Sequence, residues 1–403
     1  MMKYRTKDYY IFPLFTLWFV ASPILSTQET ADPGAGYVLG MVIPILLFGL
    51  IRSKFIFKPY HVSAILMWLM CACASFLGPF TSEINTMVIV KYFAFVIFFI
   101  VVSNYKFTGK DIIIITKGYV LLAIIVASLI ILSYLGDYQY FHEGAGGSYY
   151  YMGRYSIGIT GLYKNPNYLA SFICVAALIV MYKVKMSSMT LKKQVLYIGI
   201  FLLFFISCFF TGTRISLIVL FIISIALYGT NIFSSSIKGI VIPILLIGFI
   251  VVLYGKQLSN LFELYLAGRD MLSDEGREQT WSLALHFFYD NFLVGYGIDS
   301  WHHLSHGRAT LGNLHNVFLE FLLNQGIIGI ILLAHVVLYG YNRAKKRDRF
   351  LLFMIFLVTV LPLSFQNGVV AVNFWRFVII NRLALNYSIQ SKYGIVALFK
   401  LNQ

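Results

Sequence analysis

The stretch 112–135, IIIITKGYVLLAIIVASLIILSYL, decides how the rest of the chain is read. It contains a single charge, Lys117. A helix rises about 1.5 Å per residue and the hydrocarbon core of a bilayer is about 30 Å thick, so about 20 such residues cross it. The composition shows that this stretch is the rule here. The 403 residues are 59% hydrophobic and 12% charged, with a mean hydropathy of +0.80. Soluble domains carry about 25% charged residues, and no soluble fold hides this much apolar surface. Outward from 112–135, comparable stretches lie at 9–26, 37–51, 61–78 and 86–103, and then at 168–182, 195–211, 214–230, 238–254, 314–340, 350–365 and 370–388. The chain therefore reads as an all-α integral membrane protein with about 12 transmembrane helices. No repeat of one half in the other is visible.

The net charge of +15 comes from 31 Lys and Arg against 16 Asp and Glu. No basic patch is interleaved with exposed aromatics, so nucleic acid is not an expected partner, and the cations read as a topology signal. With the N-terminus inside, Lys3, Arg5, Lys7, Arg52, Lys54, Lys58, Lys106 and Lys110 face the cytoplasm, as do Lys183, Lys185, Lys192, Lys193 and the run Arg343 to Arg349. The short opposite loops 27–36, 79–85 and 366–369 hold no Lys or Arg. Both termini are expected in the cytoplasm, and the first helix reads as retained rather than as a removed signal peptide. Cys71, Cys73, Cys174 and Cys208 all fall in apolar runs and read as buried packing.

This threading divides the chain into N-terminal transmembrane helices at 1–135, a first outer loop at 136–167, further helices at 168–254, a large outer loop at 255–313, and C-terminal helices with a cytoplasmic tail at 314–403. The larger loop carries Glu263, Asp270, Asp274, Glu275, Glu278, Asp290 and Asp299, beside Lys256, Arg269, Arg277 and Arg308. The apolar rhythm of Trp281, Leu283, Leu285, Phe287 and Phe288 predicts that it is partly helical. Long outer loops on a rigid bundle are where chemistry is expected.

Six groups of residues stand out. Arg277 and Trp281 open the helical part of the large loop, where the arginine serves either function or a pairing with acid or lipid phosphate. His315 and Asn316 begin the next span, and Asn316, Glu320 and Asn324 recur every four residues on one helical face. Polar groups there line a cavity or join helices. Arg214 follows Thr211-Gly212-Thr213 between two spans, as a site cation or a snorkelling anchor. Arg154, Lys164, Asn165 and Asn167 occupy the first loop, where Asn-Pro-Asn also reads as a turn and helix cap. Tyr149, Tyr150, Tyr151 and Tyr155 suit either sugar stacking or an interface belt. His302, His303 and His306 share metal-like spacing, but no cysteine joins them and they read better as loop histidines. No phosphate-binding glycine loop is present, and no metal or other cofactor is expected.

Together TGTR at 211–214, Arg277 with Trp281, VGYG at 294–297, HN at 315–316, LEFLLNQGIIG at 319–329 and GLYKNPN at 161–167 resemble the O-antigen ligase/polymerase family of integral membrane glycosyltransferases. The likeness runs over roughly residues 150–340. It implies a glycan donor on polyprenyl pyrophosphate, transfer to a second acceptor at the outer surface of the bacterial inner membrane, and no nucleotide. Arg277 and Arg214 would then neutralise the leaving pyrophosphate and His315 would be the base. Asn316, Glu320, Trp281, Arg154, Lys164, Asn165 and Asn167 would contact substrate. The expected activity is a polymerase that joins lipid-linked repeat units, with a chain-length regulator as a further partner. The alternatives are a ligase that passes the finished glycan to lipid A–core and, in another class, a lipid-oligosaccharide flippase, for which Lys91, Lys117 and Arg376 within spans are the suggestive charges.

Overall fold

The computed structural model describes residues 56–80, 86–135, 166–186, 189–210, 214–232, 272–305, 314, 316–364 and 372–400. It is 85% helical and, among the described residues, has no strand. The helices are α1 (Pro59–Leu77), α2 (Thr86–Asn104), α3 (Gly109–Leu135), α4 (Pro166–Met186), α5 (Leu191–Phe210), α6 (Arg214–Ile232), α7 (Leu272–Asp290), α8 (Ser300–Leu304), α9 (Val317–Leu338), α10 (Arg349–Leu363), α11 (Val372–Gln390) and α12 (Val396–Lys400). Local chemistry starts several of them. Pro59 occupies the first turn of α1, where its missing N–H costs nothing. Ahead of α3 the Asp111 carboxylate accepts from the Thr108 amide at 2.7 Å, while the Thr108 hydroxyl accepts from the Asp111 amide at 3.3 Å, a reciprocal cap.

Among the described residues, five helices are long and apolar enough to cross a membrane: Pro59–Leu77, Thr86–Asn104, Gly109–Leu132, Leu191–Cys208 and Val317–Arg343. The chain is a multi-pass membrane protein. The expected spans at 168–182, 214–230, 350–365 and 370–388 are helices too, but fall short of those five for visible reasons. α4 carries Lys183 and Lys185 in its last turn. The apolar part of α6 is confined to Ile215–Leu227. α10 has 15 residues, and α11 buries Arg376, Asn381, Arg382 and Asn386. The expected spans 9–26, 37–51 and 238–254 lie outside the described residues.

α9 lies against α1 along its length, α11 ties α9 to α2 and α10, and α4 packs among α3, α5, α6 and α10. Trp375 of α11 is fully buried and stacks on Phe95 of α2 at 5.9 Å. Arg376 donates to the Tyr119 hydroxyl at 2.6 Å and lies between the Tyr119 and Phe172 rings, so this intramembrane cation has a built partner.

One end of the bundle gathers the basic connections. There His61 meets Ser103 at 2.8 Å, Arg382 donates to the Tyr339 carbonyl at 2.7 Å and to Asn386, and Asn386 donates to Tyr60. These bonds bring together the start of α1 and the ends of α2, α9 and α11. The carboxylate of Asp348, fully buried, accepts from Ser388 at 2.6 Å, from the Ile395 amide at 2.9 Å and from the Val396 amide at 3.1 Å, which folds α12 back beneath this end. The other end carries α7 and α8.

Candidate active site

α9 is not one continuous helix. Gly326 has φ 62° and ψ −166°, a conformation reserved almost wholly for glycine. The break withdraws the two helical hydrogen bonds that would join Ile327 to Leu323 and Ile328 to Asn324. In an apolar bundle, four stranded backbone groups would each cost several kcal/mol. The loop after α7 supplies all four partners. The amides of Ile327 and Ile328 donate to the carbonyls of Phe292 and Leu293, at 2.8 and 3.2 Å. The carbonyls of Leu323 and Asn324 accept from the amides of Tyr296 and Gly297, at 2.7 and 3.0 Å. The VGYG and LEFLLNQGIIG motifs are thus two halves of one joint.

Glycines make this approach possible. Gly295 (φ 69°) and Gly297 (φ 93°) both take left-handed backbone, and a Cβ on Gly297 would lie 2.6 Å from the Ser75 backbone. Ser75 itself accepts from the Ile298 amide at 2.8 Å, fastening the loop to α1. Next, Asn324 accepts from both the amide and the hydroxyl of Ser300, at 3.3 and 2.8 Å, locking α8 to α9. Buried beside them, the Asn324 Nδ2 and Gln325 Oε1 atoms have no hydrogen-bond partner among the described residues, although Gln325 Nε2 donates to Tyr92 at 2.8 Å.

α7 stands over this joint. Ala284, Trp301, Leu314 and Leu323 form a small buried cluster apart from the main core, with Trp281, Leu283, Phe287, Phe288 and Leu304 packed on it. The Trp281 indole N–H donates to the Leu314 carbonyl at 2.8 Å, and the Tyr296 hydroxyl donates to the Phe287 carbonyl at 3.1 Å. Asn316 leads into α9. The Asn316 side-chain oxygen caps that helix, accepting from the Phe318 and Leu319 amides at 3.0 and 3.2 Å. Asn316→Ala is expected to lower stability by about 1 kcal/mol in a thermal melt, with Asn316→Asp restoring it.

The expected site residues fall as follows. Trp281 and Asn316 are the tether and the cap just described, while Glu320 sits half-buried in the first turn of α9. The backbone of Arg277 lies one turn ahead of Trp281 on α7. Arg214 is the first residue of α6 and Asn167 lies in the first turn of α4. Those two helix starts lie at the same end, since Cys174 of α4 donates to the Ser216 carbonyl of α6. The side chains of Arg277, Arg214 and Asn167 lie outside the described residues, as do His315, Arg154, Lys164 and Asn165 entirely. His302 is exposed and His303 stacks on Phe80 at 5.2 Å. Among the described residues no group of three or more His, Cys, Asp or Glu is placed to hold a metal.

Sequence reasoning missed the exposed face of α7. Glu278, Gln279, Ser282, Leu283 and His286 lie together along that face, most of them exposed. Their spacing of three and four along a helix was the available signal. Asp299 was also missed as a structural device. It is the one non-glycine residue with positive φ among those described, at 60°, and starts α8. Burial pushes its carboxyl above the ordinary range, opposed in part by His302 and His303.

The fold and this joint define a multi-pass helical membrane protein in which α7 is docked on a broken helix. Residues 199–334 match the Wzy_C family model, described as O-antigen ligase. The match runs from within α5 into α9 and contains the joint, the Trp281 tether and the cap. No curated protein matches the chain.

Proposed function

We propose that this protein is a membrane glycosyltransferase that joins polyprenyl-pyrophosphate-linked oligosaccharide repeat units into a surface polysaccharide. The observation that carries the reading is the Trp281–Leu314 hydrogen bond, which holds the helix bearing Arg277 against the chain that leads directly into His315. Within a segment matching the O-antigen ligase family, this tether joins a cation-bearing helix to a base-bearing corner.

The chemistry follows from those residue types. An acceptor hydroxyl oxygen attacks the anomeric carbon of the donor glycan, and the C–O bond to pyrophosphate breaks with its electron pair going to the leaving oxygen. His315 takes the hydroxyl proton, a role suited to a group titrating near neutrality. Arg277 and Arg214 meet the charge growing on the pyrophosphate, because a guanidinium binds phosphate oxygens through two parallel bonds and keeps its charge. The starts of α4, α6 and α9 add the positive ends of their helix dipoles at the same face. Trp281 and Asn316 hold the corner in place, Glu320 lies within a turn of it, and Arg154, Lys164, Asn165 and Asn167 bind the sugar or phosphate from the first loop. Direct displacement inverts the anomeric centre.

The basic connections of α2–α3, α4–α5 and α9–α10 share the end opposite α7. By the positive-inside rule that end is cytoplasmic, so both termini lie inside and the site faces outward from the bacterial inner membrane. A second reading, favoured by the description of the matching family, is the ligase that moves a finished glycan to lipid A–core or another acceptor. Purified protein given its lipid-linked repeat unit, without nucleotide or metal, is expected to build a ladder of longer lipid-linked glycans. Transfer only after lipid A–core is supplied would establish the ligase, and silence with both acceptors from folded protein would overturn the enzymatic reading.

A further inference from the structure

At the basic end of the bundle, far from the α7 face, lies a cavity of about 390 Å³ between α3, α4, α5, α10 and α11, floored by α12. Its walls are mostly aliphatic, with Ile115, Ile179, Ile200, Ile355 and Leu398 among them, and aromatic rings such as Tyr182 and Phe399 complete them. That size and lining suit a small apolar ligand or one chain of a lipid. Two cations stand on its wall, Lys117 and Lys183.

Lys117 is placed against expectation. It is exposed on the outer face of α3, between Ile114 and Leu121, which are 52% and 60% exposed and continue into Ile125 and Leu132 on the same stripe. An ammonium two turns into an apolar, outward-facing stripe reaches for an anion at the membrane surface. Lys183, in the last turn of α4, has its ammonium held at the rim by the Tyr197 hydroxyl at 2.8 Å. Lys185, Lys192 and Lys193 surround the same connection. Basic pockets between membrane helices on the cytoplasmic side recognise anionic headgroups.

We propose that this groove is a binding site for an anionic glycerophospholipid of the cytoplasmic leaflet, one acyl chain in the cavity and the phosphate between Lys117 and Lys183. The assignment of leaflet rests on the topology proposed above; the site itself is separate from the transfer chemistry. Two lysines near a charged headgroup favour it by about thirtyfold over a zwitterionic one.

The test uses the purified full chain equilibrated with equal amounts of phosphatidylglycerol and phosphatidylcholine, with retained lipid read by native mass spectrometry. The wild-type chain is expected to retain phosphatidylglycerol preferentially. Lys117→Gln with Lys183→Gln is expected to bring the two lipids near parity, and Ile355→Trp, which fills the cavity, to lose both, each at a melting temperature close to wild type. Equal retention by the wild-type chain overturns the proposal, and this comparison needs no variant to fold. A preference unchanged in the double variant overturns it too, as does displacement of phosphatidylglycerol by an equal amount of polyprenyl phosphate. Retention is read without any transfer reaction, so an intact lipid preference in a protein that transfers no glycan faults the enzymatic reading alone.

Discussion

Gly326→Ala is expected to abolish glycan transfer and to lower stability by about 3 kcal/mol or more, read as a large drop in melting temperature and in accumulated folded protein. Two costs combine. The backbone at φ 62°, ψ −166° is nearly closed to any residue with a Cβ, and the added methyl would run into the Leu293 carbonyl group. Relief by straightening α9 would restore its two helical bonds but strand the amides of Tyr296 and Gly297 and the carbonyls of Phe292 and Leu293. The loop would then lose its hold on the bundle, and α7 with it. Gly297→Ala should behave similarly, because its Cβ would meet α1 at Ser75. Gly199→Ala is the matched control: among the described residues a Cβ there meets nothing within 4 Å, and α5 should gain up to about 1 kcal/mol. Normal accumulation and transfer by Gly326→Ala would show that the joint has no part in holding the site.

The second large effect concerns Arg277 and His315. Each alanine variant is expected to fold as wild type yet lose transfer, by about 10²–10⁴-fold for the base and about 10²–10³-fold for the cation. Arg277→Lys should recover part of the rate, since it keeps the charge and loses the planar fork. Trp281→Phe separates position from chemistry. It keeps the packing against Ala284 and Leu314 but leaves the Leu314 carbonyl without its indole donor. Turnover should fall in Trp281→Phe while the pH profile set by His315 keeps its shape. Near-normal polymer from both alanine variants would remove the mechanism.

Much of this was legible from residues alone. Helix starts at Pro59 and Thr108 follow rules confined to a few neighbouring residues, and hydropathy placed α1, α2, α3 and α5 within a few residues of their ends. The helical character of the loop around Trp281 followed from its apolar rhythm. In α11 a count of apolar residues does not reveal that Arg376 and Arg382 point inward to Tyr119, Tyr339 and Asn386. An Asn before an apolar run is a helix cap by ordinary rules, and Asn316 caps α9 through its side-chain oxygen.

The class of the protein, a helical bundle in a membrane with its cations gathered on one side, is written in composition and hydropathy, because burial in lipid is a property each segment satisfies by itself. The sequence also marked VGYG and LEFLLNQGIIG as distinctive. Nothing local says that they bind each other, since the bonds between Phe292–Gly297 and Leu323–Ile328 run between backbone groups that every residue carries. Only the packing of α9 against α1 and the loop reveals why Gly326 breaks a span, which segment fills the break, and how α7 comes to rest against Leu314 ahead of α9.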